Sequence, residues 1–346
     1  MEGKIIQLQS AIEERESHIF SLQPYQRQFG TNEAKKGYMD LADGINDWVV
    51  NWTDRILDSD KLRRRSIETS VRDPRPVTRF SRCLETGRDL FRLTQLPDMD
   101  QEVLVAFILR YLLHWIFSTT LCDITPDIVK DLDILVKSMK QHITPNLDAY
   151  ATMSWRSQAF LALLAVPKIK QLQNQVVHQL SEDLAKFLGF ICQDGEKDVF
   201  ISSIHKQVVD PAMRLHEQFL TSTRDFYLEI DPRILAGEMF TGELSDLKRL
   251  DCVDIAGNNR KFDIDKLNPQ PNIEEVRKNL RILCSTRPAL MVVEVGQQGK
   301  LKEPAIVCRE VVQVVWNSEG RRNTLKVDQQ PTWLHSIASS AKGVQH

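Results

Sequence analysis

Residues 103 to 121, VLVAFILRYLLHWIFSTTL, constrain this chain more than any other stretch, because they form one long apolar run with an arginine at its centre. The run approaches the roughly 20 residues that cross a bilayer. Arg110 would cost about 2.5 to 3.5 kcal/mol at mid-span, His114 adds a second polar group, and no basic flank fixes an orientation. The run therefore predicts a central soluble helix, apolar all round, whose Arg110 reaches an acidic neighbour or the surface. No membrane partner is expected. The other helices have to wrap around this one, which predicts a mainly α protein in the form of a multi-helix bundle.

Three further helices are legible from spacing. Thr31 can cap a helix carrying Tyr38, Leu41, Ile45, Trp48, Val49 and Trp52 on one face. Thr125-Pro126 opens another, with Ile128, Leu132, Leu135, Val136, Met139 and Ile143 in a stripe. After Pro167 a third stripe runs through Ile169, Leu172, Val176, Leu180, Leu184 and Leu188. Around Asp210-Pro211 either a kink or a fresh helix start fits. At the N-terminus, Ile5, Leu8, Ile12, Ile19 and Leu22 take heptad positions up to Pro24, although Arg15 breaks the seam. That arm, residues 1–24, is either packed on its own domain or a coiled coil that binds a protein partner or a second copy.

Near residue 231 the texture changes, and turn residues become dense. This divides the chain into a helical body over 25–231 and a segment over 232–346. The second segment reads as a short helix over 273–284, then two β-branched runs, ALMVVEVG and AIVCREVVQVVW, forming a β-hairpin in a small α/β cap on the body.

Composition narrows the function. The chain has 42% hydrophobic and 27% charged residues and a formal charge of −2, which suits a soluble globular protein. The acidic N-terminus lacks the features of a signal or transit peptide, so a cytoplasmic start is expected, with the nucleus open. The six cysteines form no CxxC pair. Gly237 and Gly242 have P-loop spacing, but Glu243 stands where the lysine is needed. The motifs GxGxxG, GxSxG and HExxH are absent. His205 and His216, eleven residues apart on a helix, stand about 16 Å from one another, too far for one metal. Asp251, Asp254, Asp263 and Asp265 around Gly257-Asn258-Asn259 fail the calcium-loop pattern and read as a polar turn. Cys83, Cys192 and Cys252 gain no local support as nucleophiles. No cofactor, metal or catalytic residue is expected.

One electrostatic anomaly remains. Residues 61–82 hold Lys61, Arg63, Arg64, Arg65, Arg72, Arg75, Arg79 and Arg82 in an otherwise acidic chain. Three explanations compete: internal pairing with acidic surfaces, which is favoured; a regulated site, since Arg63-Arg64-Arg65-Ser66 has the approach read by basophilic kinases; and a grip on nucleic acid or another polyanion, with Phe80 and Phe91 as the available stacking residues.

The phrases SHIFSLQPYQ (17–26), DPAMRLHEQFLTSTRDFYLEID (210–231), KFDIDKLNP (261–269) and TRPAL followed by KEPAIV resemble a group of uncharacterised proteins predicted in filamentous fungi. The resemblance covers most of the chain, implies a fungal origin and carries over no activity, cofactor or site. Three functions are thus carried forward. The first is a non-enzymatic intracellular interaction or regulatory protein. The second is a helical ligand-binding protein or enzyme with a site in the bundle core near Arg110, His114, Trp48 and Trp52. The third is polyanion binding through the arginine segment.

Overall fold

The computed structural model describes residues 29–72, 74–86, 88–120, 126–142, 148–193, 195–235, 242–255, 259–296, 299–316 and 331–340. The N-terminal arm with Ile5, Leu8, Ile12, Ile19 and Leu22 lies outside them, as do Cys122, Gly237 and Gly257-Asn258. The protein is mainly α, with two small sheets.

Helix α1 (Thr31–Leu57) buries Tyr38, Leu41, Ile45, Trp48 and Val49, the apolar face that its spacing dictates. Thr31 does not cap it. Gly30 occupies that position, its N–H donating to Glu33 at 2.7 Å, while the Thr31 hydroxyl accepts from Arg224. Next come α2 (Asp60–Arg72), α3 (Pro74–Thr86) and α4 (Arg88–Leu93). The central run forms α5 (Asp100–Leu112), buried along almost its whole circumference, and ends in a π turn at Leu113–Phe117. No helix among the described residues is long and apolar enough to cross a membrane.

Helices α6 (Pro126–Gln141), α7 (Ala149–Leu164) and α8 (Pro167–Phe187) follow. The fully buried line of α8 runs through Ile169, Gln173, Val177, Ser181 and Leu184. That line is turned by one residue from the expected stripe, so Val176 and Leu180 only flank the core. Helices α9 (Lys197–Ile204) and α10 (Asp210–Leu220) are joined by a π turn, His205–Val209. Pro211 therefore neither breaks nor restarts this helix; its missing N–H falls where the wider turn has already shifted the ladder.

Strands β1 (Asp225–Glu229), β5 (Ala289–Val293) and β6 (Ala305–Cys308) make one antiparallel sheet in the order β1-β5-β6. The second sheet has the order β3-β2-β7-β4, from β2 (Leu250–Asp254), β3 (Arg260–Lys261), β4 (Leu280–Arg287) and β7 (Glu310–Trp316). Its β2–β7 pair is parallel and the rest antiparallel. The two β-branched runs thus pair as a ladder through β5 and β6, and the second run continues as β7 into the other sheet. The helix expected over 273–284 is shorter. An Asn272–Glu275 capping box starts α11 (Ile273–Asn279), but at Leu280 the backbone becomes extended and pairs with β7, so tertiary pairing overrides local preference.

The main core is continuous across residue 231. It joins α1, α5 and α9 with Cys284, Leu290, Val292 and Cys308 and with α12 (Trp333–Ser340). Asp100 holds α12 in place: its carboxylate, almost fully buried, accepts the Leu334 N–H at the start of that helix. A smaller core, including Val276, Leu280, Val312 and Val314, fills the other face of the second sheet.

Candidate functional site

Helix α7, AYATMSWRSQAFLALL, carries apolar residues on every side, a composition that belongs in an interior. It buries Phe160, yet it also turns hydroxyls inward and leaves two large apolar groups outward. Thr152 and Ser157 are buried, their hydroxyls donating to the carbonyls of Asp148 and Thr221, whereas Tyr150 and Leu161 are exposed. Its neighbour α6 packs chiefly against α7 and leaves Ile134 62% exposed, with Leu135 beside it. Of the nine large hydrophobics exposed among the described residues, six lie between Trp115 and Val166.

The same pair of helices walls a cleft of about 210 Å³, lined by Val136, Met153, Arg156, Phe160, Asp225 and Leu301. Arg156 donates to Asp225 at 3.1 Å, and its guanidinium carbon lies 5.5 Å from the centre of the Phe160 ring. Val293 and Leu301, on either side of the connection between β5 and β6, also line the cleft. Gly299 takes a positive φ of 70° there, and a Cβ at that position would fall 2.7 Å from the Cβ of Asp148, the residue whose side chain caps α7. The backbone at Gly299 thus comes as near to the cap of α7 as only glycine permits.

A second polar constellation is fully internal. Arg110 donates from both terminal nitrogens to Asp89, which has no solvent exposure, and also to the Ser285 carbonyl at 2.8 Å. Arg110 thus reaches an acidic neighbour, as its place in the central helix demanded. Close by, Glu310 is 3% exposed; one carboxylate oxygen accepts the Asp231 N–H at 3.1 Å and the other meets no hydrogen-bond donor among the described groups. Burial above all pushes the Glu310 carboxyl up to about 7, and the charge of Asp231 adds to it; Ser285, the Asp231 N–H and Arg110 pull the other way.

The four residues expected around a ligand in the bundle core do not share a site. His114 is exposed against Trp115. Trp48 donates to the Ser203 hydroxyl at 2.9 Å, and both it and Trp52 pack on Phe200, so this pair is core. Among the described residues no group of three His, Cys, Asp or Glu side chains is placed to hold a metal. Asp251 pairs with Lys261, Asp265 with Lys248 and Asp263 with Lys266. His216 is buried: its ring donates to the Thr119 carbonyl, Nε2 meets no hydrogen-bond partner among the described groups, and burial pulls its pKa down to about 4. Burial likewise pushes the Cys252 thiol up to about 12 and the Cys284 thiol well above its ordinary value, the opposite of nucleophile activation.

In the arginine segment, Arg63 pairs with Asp60 of its own helix, and Arg65, Arg75 and Arg82 have interactions within the chain. Lys61, Arg64, Arg72 and Arg79 are nevertheless exposed, so internal pairing accounts for only part of the segment. Ser66 is half-buried; its hydroxyl donates to the Arg63 carbonyl and accepts from the Trp333 indole at 2.6 Å. Sequence reasoning had no means of finding Asp89, Glu310 or the outward face of α7. The first two read as ordinary surface acids, and an apolar helix reads as a buried one. Compared with family models, with curated proteins and with solved structures, the chain matches none of them.

Proposed function

We propose that this chain is a non-enzymatic protein-interaction protein that receives a partner on the outward face of α6 and α7. One observation carries the proposal: α7 exposes Tyr150 and Leu161 while burying Thr152, Ser157 and Phe160, and the neighbouring α6 exposes Ile134 and Leu135. Exposed apolar groups concentrated in this way mark surfaces that another molecule covers. An amphipathic helix laid against the two helices would bury them in the manner of helix-in-groove recognition. The engagement of the groups that sequence offered for chemistry supports the non-enzymatic part. Arg110 is neutralised by Asp89, and the Cys252 thiol is held protonated.

Native mass spectrometry of the wild type and of an Ile134→Glu/Leu161→Glu variant, each purified gently from its own source, tests this. Both positions are exposed, so the variant is expected to fold. A complex present for the wild type and absent for the variant supports the proposal. A bare wild-type monomer at tens of micromolar, or a protein complex that both proteins retain after nuclease treatment, overturns it.

A further inference from the structure

A separate surface carries an inference of its own. Helices α2 and α3 pack on one another and both lie over α12. Each is two-faced. The inward side of α3 buries Val77, Phe80 and Leu84, and its outward side presents Arg75, Arg79 and Arg82 at spacings of four and three. On α2 the outward side presents Lys61, Arg64 and Arg72, with Arg65 adjacent, Glu68 among them and Asp60, which pairs with Arg63, at the start of the helix. All seven basic residues are exposed, on a chain whose total formal charge is −2. The field is therefore local to these helices and does not follow from a generally basic protein.

We propose that the outward faces of α2 and α3 bind the phosphate backbone of a double-stranded nucleic acid without reading its sequence. Arginine suits this target, since its planar fork contacts phosphate oxygens at two points. The 11-residue span from Lys61 to Arg72 covers about 16 Å of helix, over which a duplex presents roughly ten phosphate charges. Two alternatives are disfavoured by what surrounds the arginines. Single-stranded binding uses aromatic stacking, but Phe80 is fully buried and Phe91 packs against the His335 ring. Membrane binding uses large apolar residues beside the basic ones, and here Val71 is the only exposed large hydrophobic on the described part of these helices.

The test is fluorescence anisotropy of a labelled random-sequence DNA duplex of roughly 20 bp, about two turns, titrated with the full-length protein at salt from about 50 to 200 mM. Four to seven phosphate contacts predict a slope of log K against log salt of roughly −4 to −6, at about −0.9 per contact. The variant Arg64→Ala/Arg72→Ala/Arg79→Ala should weaken binding and flatten the slope by nearly 3, whereas lysine at the same three positions should keep most of it. The slope of the wild type needs no variant, so a folding defect in the triple mutant leaves the proposal open to refutation. The proposal is overturned by any of three results: no binding at about 50 mM salt, a slope unchanged in the alanine variant, or binding to phosphatidylserine vesicles or single strands but not to the duplex. The Ile134→Glu/Leu161→Glu variant should bind the duplex normally, which separates this surface from the α6–α7 face.

Discussion

Replacing Glu310 by glutamine should stabilise the protein at pH 8 and leave it almost unchanged at pH 5. The buried carboxyl sits at about 7 against an ordinary 4.5. A shift of about 2.5 units at 1.36 kcal/mol each places about 3 kcal/mol on this one group. Because the folded pKa lies above the unfolded one, its contribution is fully present below about pH 4.5 and is lost as the pH rises through about 7. Glutamine keeps an acceptor for the Asp231 N–H and gains an amide that can donate to the Ser285 hydroxyl beside it. Urea unfolding of both proteins from pH 5 to pH 8.5 measures the difference, in which every other titrating group cancels. The variant should gain up to about 3 kcal/mol, the gain growing between about pH 4.5 and 7 and staying level above that. A pH-independent difference, or a variant less stable at pH 8, would mean that Glu310 is ionised and satisfied, and the argument from burial would be wrong.

Asp89→Asn should cost about 3 to 5 kcal/mol in urea unfolding, because it strands the Arg110 charge inside the fold, whereas Asp89→Leu/Arg110→Met together should come close to the wild type. His216 has a folded pKa near 4, below its unfolded value, so it contributes stability above about pH 6.5 that is lost as the pH falls towards 4; its ring resonances should not titrate by NMR between pH 5 and 8. Iodoacetamide on the folded protein, followed by peptide mapping, should modify exposed Cys83 long before Cys252, Cys284 or Cys308, and equal labelling of all four would contradict the burial described here.

How much of this the sequence disclosed depends on whether the deciding contact is local. The central helix was legible because an apolar run of that length, interrupted by Arg110, has few solutions, and the spacing of Trp48 and Trp52 among aliphatic neighbours marked them as core. Asp89 was not legible. It stands 21 residues from Arg110, inside a window dominated by arginines, where an acid reads as a solvated counterion. Glu310 opens a β-branched strand and looks like an edge charge until β2 and β4 close around β7. Strand β4 was hidden by a good helix start next to it, and the exposure of Tyr150 and Leu161 on α7 cannot be read from a composition that is apolar on all sides.

The hydroxyl of Tyr38 donates to the Pro288 carbonyl at 2.6 Å, a contact between residues 250 apart in the chain. Trp333 and Ser66 are joined across 267 residues. A ribosome adding about 5 to 20 residues per second needs about 12 to 50 s to travel from the first of these groups to its partner. Throughout that interval the face of α1 that meets β5 and β6 is made but uncovered, and α2 and α3 wait longer still for α12. Helices of this kind form in microseconds, so the delay lies in waiting for the C-terminal third of the chain. Truncations that remove the last helix should therefore be tolerated far worse than its length suggests, and expression should depend on how well the nascent chain is kept from sticking to itself.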